Sequence, residues 1–249
     1  MAREKSLSGR TALVTGAAKR LGRATALALA GAGADVIVHY RRSAAEAEAA
    51  AAEIRGAGRQ AWTIAADLAD PQQVDSLMQR AIDAAGGVDI LINNASIFPQ
   101  GRLGEVSPGD LQASIQVNAT APLQLCRAFA AGGRGGDIVN FLDCRIADYD
   151  RAHAAYHLSK RMLFDITRML ALELAPDVKV NAVAPGLILP PSGEDEAYLA
   201  RLAHTNPLHR CGDPEEVARA VVFLVRSRFI TGQVIFIDGG RHLKGSVHG

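Results

Sequence analysis

The chain has 249 residues, 49% of them hydrophobic and 21% charged, with a formal net charge of +1. That balance is too apolar for intrinsic disorder and too even in charge for a dedicated nucleic-acid surface, so the expected partner is a small molecule. No apolar run reaches the roughly 18 residues of a membrane span, and the opening MAREKSLSGR lacks the apolar stretch of a signal peptide, so a soluble cytoplasmic protein with no membrane partner is expected.

In chain order, TALVT (11–15) is a short apolar run followed by GAAKRLG and the Ala/Leu-rich RATALALAGAGA, which reads as strand, glycine turn and helix. ADVIVHY (34–40) is a second buried-strand run. The helix SAAEAEAAAAEI follows, with Ser43 and Glu46 at capping-box spacing. Further strands are expected at AWTIA (61–65), VDILIN (88–93), DIVNFL (137–142), VKVNAVA (178–184) and QVIFID (233–238), with helical patterns in most of the gaps. Alternation of this kind predicts an α/β fold: a Rossmann-type, doubly wound, parallel seven-stranded sheet with helices on both faces, in a single domain over 1–249. Ligands then bind at the carboxyl ends of the strands. Cys126, Cys144 and Cys211 are odd in number and lack C-x-x-C or metal-ligand spacing, which reads as reduced thiols and no metal site.

Four stretches carry chemistry. Gly16 and Gly22, in the turn Thr15-Gly16-Ala17-Ala18-Lys19-Arg20-Leu21-Gly22, let backbone approach a pyrophosphate at a helix N-terminus, or simply make a turn. After the second strand the chain reads His39-Tyr40-Arg41-Arg42-Ser43, with no acid to hold ribose hydroxyls and two arginines suited to a 2′-phosphate; this favours NADPH, although paired arginines before a helix also serve as a solvated start. Asp67-Leu68, after the third strand, fits an adenine-edge contact and fits a helix N-terminal signal equally. Tyr156 and Lys160, four apart, share one face of a helix, and Asp143 adds a carboxyl group thirteen residues before the Tyr. An ammonium beside a phenol of ordinary pKa ~10 favours the phenolate and lowers that value.

T-G-x-x-x-x-x-G, Asn93-Asn94-Ala95, Asn118, Y-x-x-x-K and Pro185-Gly186, in this order and spacing, resemble the short-chain dehydrogenase/reductase superfamily over residues 9–240. The usual pattern there has Gly where Arg20 stands and Ser where Asp143 stands. Those departures, with His39-Tyr40-Arg41-Arg42-Ser43 and Asn93-Asn94-Ala95-Ser96-Ile97-Phe98, resemble the pteridine reductase branch; bacterial dihydromonapterin reductases are similar in the Arg and Asp features.

The resemblance implies NADPH-dependent reduction of a pterin or folate-like substrate, with a ketone or 3-oxoacyl thioester as the alternative. It implies cofactor contacts at Gly16, Arg20, Leu21, Gly22, His39, Arg41, Arg42, Ser43, Asp67, Leu68, Asn94, Ala95, Tyr156, Lys160, Pro185 and Gly186. Substrate contacts are implied at Arg20, Ser96, Phe98, Asp143 and Tyr156, with a flat ring lying between Phe98 and the nicotinamide. Tyr156 is implied as proton donor or relay, Lys160 as the group that lowers its pKa, Asp143 as an aid to protonation, and Asn118 as the holder of a water or of local helix geometry. Residues 187–212, broken by two prolines and a glycine before AYLARLAH, suit a substrate lid, and His153 and His157 read as packing or surface residues. The superfamily commonly assembles as tetramers, so a homotetramer is expected, with the tail DGGRHLKGSVHG as a candidate subunit contact.

Overall fold

A computed structural model of the chain describes residues 6–191 and 193–246. Residues 1–5 of the opening segment, Ser192 of the expected lid and residues 247–249 of the tail lie outside the described residues. The strands are β1 (Thr11–Val14), β2 (Asp35–Tyr40), β3 (Ala61–Ala65), β4 (Ile90–Asn93), β5 (Gly136–Phe141), β6 (Val178–Pro185) and β7 (Val234–Ile237). All pair in parallel, in the order β3-β2-β1-β4-β5-β6-β7. Each expected strand is present, because buried parallel strands read as continuous apolar runs.

The helices are α1 (Arg20–Gly31), α2 (Ala44–Gly56), α3 (Pro71–Ala85), α4 (Pro108–Ile115), α5 (Ala121–Ala131), α6 (Ala154–Glu173), α7 (Glu196–Leu202) and α8 (Pro214–Arg226). Successive strand residues point to opposite faces, so the sheet feeds two cores. Leu13, Ile37, Leu91 and Ile138 meet Leu77 of α3, Leu125 of α5 and Leu163 of α6. Val14, Val36, Ile90 and Ile92 meet Leu29 of α1, Ile54 of α2 and Leu224 of α8. Leu91 is wholly buried, and truncating such a residue to Ala costs about 2–5 kcal/mol.

Helices α3, α4, α7 and α8 start on a side-chain cap, from Asp70, Ser107, Asp195 and Asp213. Asp213 accepts the Glu216 amide and the Glu216 carboxylate reaches back, a complete capping box. The same box expected at Ser43 and Glu46 does not form. Ser43 sits at φ −91°, ψ 61°, outside the extended conformation that aims a cap hydroxyl at the helix amides, and Glu46 instead pairs with Lys19 at 2.7 Å. Winding reverses between β1 and β4, and the crevice at their carboxyl ends is where a sheet of this order takes its ligand.

Candidate active site

The loop leaving β1 is tied to the loop leaving β4 by neutral groups. Thr15 Oγ1 accepts the Asn94 and Ala95 amides at 2.9 and 3.0 Å, while the Asn94 side chain donates to the Thr15 and Gly16 carbonyls at 2.8 and 3.3 Å. Gly16 has φ +64°, which a side chain would strain. At Gly22 a Cβ would lie 2.2 Å from the Gly16 carbonyl oxygen and 2.5 Å from Asn94 Nδ2, so the turn closes only around a glycine. His39 is buried beneath it. Its Nδ1 accepts the Gly16 amide at 3.0 Å and its Nε2 donates to the Ala66 carbonyl at 3.1 Å, which requires the neutral ring. Burial lowers its pKa to about 4, so the ring is neutral at physiological pH. His39 thus reaches the crevice through the loop it braces.

Other expected cofactor residues rim the same crevice. Arg41 and Arg42 are exposed at the end of β2 and carry no hydrogen bond or ion pair among the described residues. Ser43 opens α2, and Leu21 is half-buried at the head of α1. Asp67 accepts the Ala69 amide at 3.0 Å and Leu68 is buried; the cap of α3 is Asp70, so Asp67-Leu68 is not itself the helix signal. Arg20 stands at φ +54°, a left-handed conformation that explains why glycine suits this position, and its guanidinium donates to the Pro190 carbonyl beyond β6 at 2.5 Å. Pro185 ends β6, and Gly186 packs so closely on Asp238 that a Cβ would lie 2.6 Å from the Asp238 Cβ.

Beside the crevice stand the groups expected to move protons. Tyr156 is in the first turn of α6, and its hydroxyl donates to Asp143 Oδ2 at 2.9 Å; Asp143 Oδ1 accepts the Arg145 amide at 2.8 Å. Burial, then the Asp143 charge and hydrogen bond, hold the phenol pKa well above its ordinary value. Lys160 lies 5.8 Å from the Tyr156 ring centre and gives its ammonium to the Phe141 carbonyl at 2.7 Å. The expected lowering of the Tyr156 pKa by Lys160 is therefore not what this arrangement yields. Burial and Asp143 act the other way, and burial drops Lys160 itself to about 8.

Asn118 lies in a π-helical turn, Gln116–Thr120, between α4 and α5. Its Oδ1 accepts Ser96 Oγ and the Ile97 amide at 3.0 and 2.9 Å, and its Nδ2 donates to the Ile97 carbonyl and Ser159 Oγ, both at 3.0 Å. All four hydrogen-bonding positions of the amide are filled, so the side chain clamps the β4 loop to α6. Phe98, 43% exposed, sets its edge on Tyr156 (centroids 4.6 Å, 88°) and one face on His153 (3.9 Å, 19°).

Reading helix faces assigned His153 to a packing or surface role and passed over Asp150. His153 precedes α6 with φ −136°, ψ 54°, so helical spacing does not govern where its ring goes. The available signal was Asp150 three residues before His153, the spacing of a side chain that caps the start of a helix. Among the described residues no group of three or more His, Cys, Asp or Glu could hold a metal ion, and no helix is long and apolar enough to cross a membrane.

Comparison with known proteins places this geometry. A family model described as enoyl-(acyl carrier protein) reductase matches residues 16–242. A 3-oxoacyl-[acyl-carrier-protein] reductase of Synechocystis sp. is 36% identical, over 94% of this chain and 98% of its own. The crystal structure of the FolM alternative dihydrofolate reductase 1 of Brucella canis, complexed with NADP, superposes with a TM-score of 0.89 at 35% identity, over 96% of each chain. A short chain dehydrogenase of Burkholderia cenocepacia, also with NADP, superposes at 0.88 and 37% identity, over 95% of this chain and 99% of its own.

Proposed function

The chain belongs to the short-chain dehydrogenase/reductase superfamily, and from that footing we propose that it is an NADPH-dependent reductase of a pterin-type ring, of the dihydropterin or dihydrofolate class. The observation that carries the reading is the Tyr156–Asp143 hydrogen bond beside the Phe98 ring, which is 43% exposed and 4.6 Å from the Tyr156 ring. The crevice fits the cofactor. Its glycine turn has no room for a side chain, and the unpaired Arg41 and Arg42 stand at the end of β2, where a 2′-phosphate needs cations. Gly16, Arg20, Leu21 and Gly22 with Asn94 and Ala95 would hold the pyrophosphate side, Asp67 and Leu68 the adenine edge, and Lys160, Pro185 and Gly186 the nicotinamide side. When bound, NADPH supplies a hydride.

The chain's own residues handle the proton. Reducing a C=N bond requires a proton at nitrogen as well as hydride at carbon. Tyr156 is held as a neutral phenol and so keeps a proton for the ring nitrogen at physiological pH, and a proton taken from solvent and carried by Asp143 can replace it at Tyr156 Oη. Lys160, its ammonium held by the Phe141 carbonyl at 2.7 Å, is left to the nicotinamide side. Phe98 offers only the face turned away from His153, where a flat ring can stack. Ser96, exposed on the same loop, and Arg20 supply polar contacts at the ring's rim. Residues 187–212 act as a lid, with the Arg20–Pro190 bond as its contact to the glycine loop. Leu158, Met162, Met169 and Leu172 form an exposed apolar stripe along α6, which supports burial against other copies in a homotetramer; light scattering on the purified chain checks it.

The direct test mixes purified protein, NADPH or NADH, and a panel of dihydropterins, dihydrofolate and ketones, and follows NADPH absorbance. Turnover confined to ketones overturns the pterin reading. The second reading, a carbonyl reductase acting on a 3-oxoacyl thioester or another ketone, is favoured by the likeness to the Synechocystis enzyme. Asp143→Ser separates the two: losing pterin turnover while keeping ketone turnover supports the first, and equal loss of both supports neither role for Asp143.

A further inference from the structure

Six residues close a ring around the reacting end of the site. Tyr156 donates to Asp143 Oδ2 at 2.9 Å, and Asp143 Oδ1 accepts the Arg145 amide at 2.8 Å. The Arg145 guanidinium meets Asp150 Oδ2 at 2.8 Å, and the same oxygen accepts His153 Nδ1 at 3.0 Å. The imidazole lies flat on Phe98, centroids 3.9 Å apart, and Phe98 returns its edge to Tyr156 at 4.6 Å.

Within that ring Asp150 is the hub. Its side chain is only 4% exposed, yet four donors reach its two oxygens: the Ala152 and His153 amides on Oδ1 at 2.8 and 3.1 Å, and the Arg145 and His153 side chains on Oδ2. A carboxylate so far from water is tolerable only when this fully bonded. Its place in the chain gives it leverage. Asp143 and Tyr156 are thirteen residues apart, and the link between them contains one 3-10 turn, Cys144–Ala147, and then irregular backbone up to the start of α6 at Ala154. No continuous helix or strand fixes that distance. Asp150 takes hold of the link from both ends at once, through Arg145 on the Asp143 side and through the last residues before α6 on the Tyr156 side. The strand-like bridge of Gly101 to Ala152 and Ala154, at 2.8 and 2.9 Å, then anchors the same corner to the loop bearing Phe98.

We infer that Asp150 is a positioning residue: it sets the Asp143–Tyr156 hydrogen bond and, through His153, the orientation of Phe98 above it, without touching the reacting atoms. This rests on the reading of Tyr156 and Asp143 as the proton-handling pair. In Asp150→Asn one carboxylate oxygen becomes an N–H donor, so either Arg145 and His153 or the two backbone amides lose their acceptor. The ring opens and the pair drifts apart.

The test uses full-length Asp150→Asn beside the wild type, read in two ways. With whichever substrate the wild type reduces, kcat is expected to fall about 10- to 100-fold, the scale of a small misplacement of reacting groups, while NADPH affinity stays within about twofold. A crystal structure of the variant is expected to show Tyr156 Oη beyond hydrogen-bond reach of Asp143, a reading that needs no turnover. A kcat within about twofold of wild type, or an intact Asp143–Tyr156 bond, overturns the inference, as does an equal loss in NADPH affinity, which marks general damage. If Asp150→Asn does not fold, His153→Ala carries the test. It removes the stack on Phe98 together with one of the four donors to Asp150, and is expected to raise KM for a planar dihydropterin about 3- to 10-fold with KM for a small aliphatic ketone unmoved; equal KM values overturn the link through His153. A wild type that reduces ketones and no pterin sinks the pterin reading, and the Asp150 ratio is then read on the ketone, so the two failures are distinct.

Discussion

The glycine loop and the Asp143–Tyr156 corner sit at the carboxyl end of one sheet and are held by opposite means. Around the loop the struts are neutral: the Thr15 hydroxyl, the Asn94 amide and an imidazole whose pKa lies near 4. Around the corner they are charged, with Asp143, Arg145 and Asp150 joined to a phenol and to His153. A neutral brace puts no fixed negative charge into the glycine turn itself, which suits an anion arriving at a helix N-terminus. A charged brace at the corner fixes a phenol in its protonated form. The binding half is thus built for shape and the reacting half for electrostatics.

That contrast assigns different damage to the two halves. Tyr156→Phe removes the donor and keeps the ring stacking, so kcat is expected to fall about 10³-fold with the thermal melting point nearly unchanged. Steady-state turnover and a melting curve check it; a large loss of stability would mean that the corner is a structural brace as well. Gly22→Ala should do the reverse. The Cβ placed 2.2 Å from the Gly16 carbonyl forces the loop open, at a cost of about 2–3 kcal/mol in urea unfolding and with weaker NADPH binding, while the Asp143–Tyr156 corner keeps its geometry.

The binding half was also the more legible in the sequence, for a physical reason. Gly16, Gly22 and Asn94 stand where a strand hands over to a turn or a helix, and there periodicity fixes the neighbours of each residue. All seven strands follow from the same regularity, since each feeds two buried cores. What could not be read depended on irregular chain or on competition between terms. Asp150 and His153 lie before α6, where neither a 2.0 nor a 3.6 period applies. The effect of Lys160 on Tyr156 turned on sign: attraction to a phenolate was legible, but burial of the phenol and the Phe141 carbonyl that engages the ammonium were not. Ser43 fails as a cap because of its backbone angles, which the Ser-x-x-Glu pattern does not report.

Acid should reach the neutral half first. His39 has a folded pKa of about 4 against 6.5 for the free side chain, so the unfolded chain binds a proton that the folded chain refuses. Stability is full above pH 6.5 and is lost as pH falls toward 4, with a decrease of about 2 kcal/mol by pH 5. Asp150, although burial pushes its pKa up, is held below the ordinary carboxylate value by the Ala152 amide, Arg145 and His153, so it remains ionised through that window. Urea melts at pH 7 and pH 5 read the difference, and a flatter profile in His39→Gln ties that part of the loss to this ring, the remainder falling to His157, whose pKa burial also lowers.

Arg41 and Arg42 mark where the contrast ends, since they put charge on the binding half. Both are exposed and unpaired among the described residues, so water screens them and each contributes modestly. Their value lies in selection: with no acid at the end of β2, nothing there repels a 2′-phosphate, and two guanidinium groups can clasp it. Replacing both by Ala is expected to raise KM for NADPH about tenfold, to leave KM for NADH within about twofold, and to flatten the dependence of NADPH affinity on salt. If NADH already serves the wild type as well as NADPH, the two arginines are a solvated helix start, and cofactor choice rests with the neutral loop.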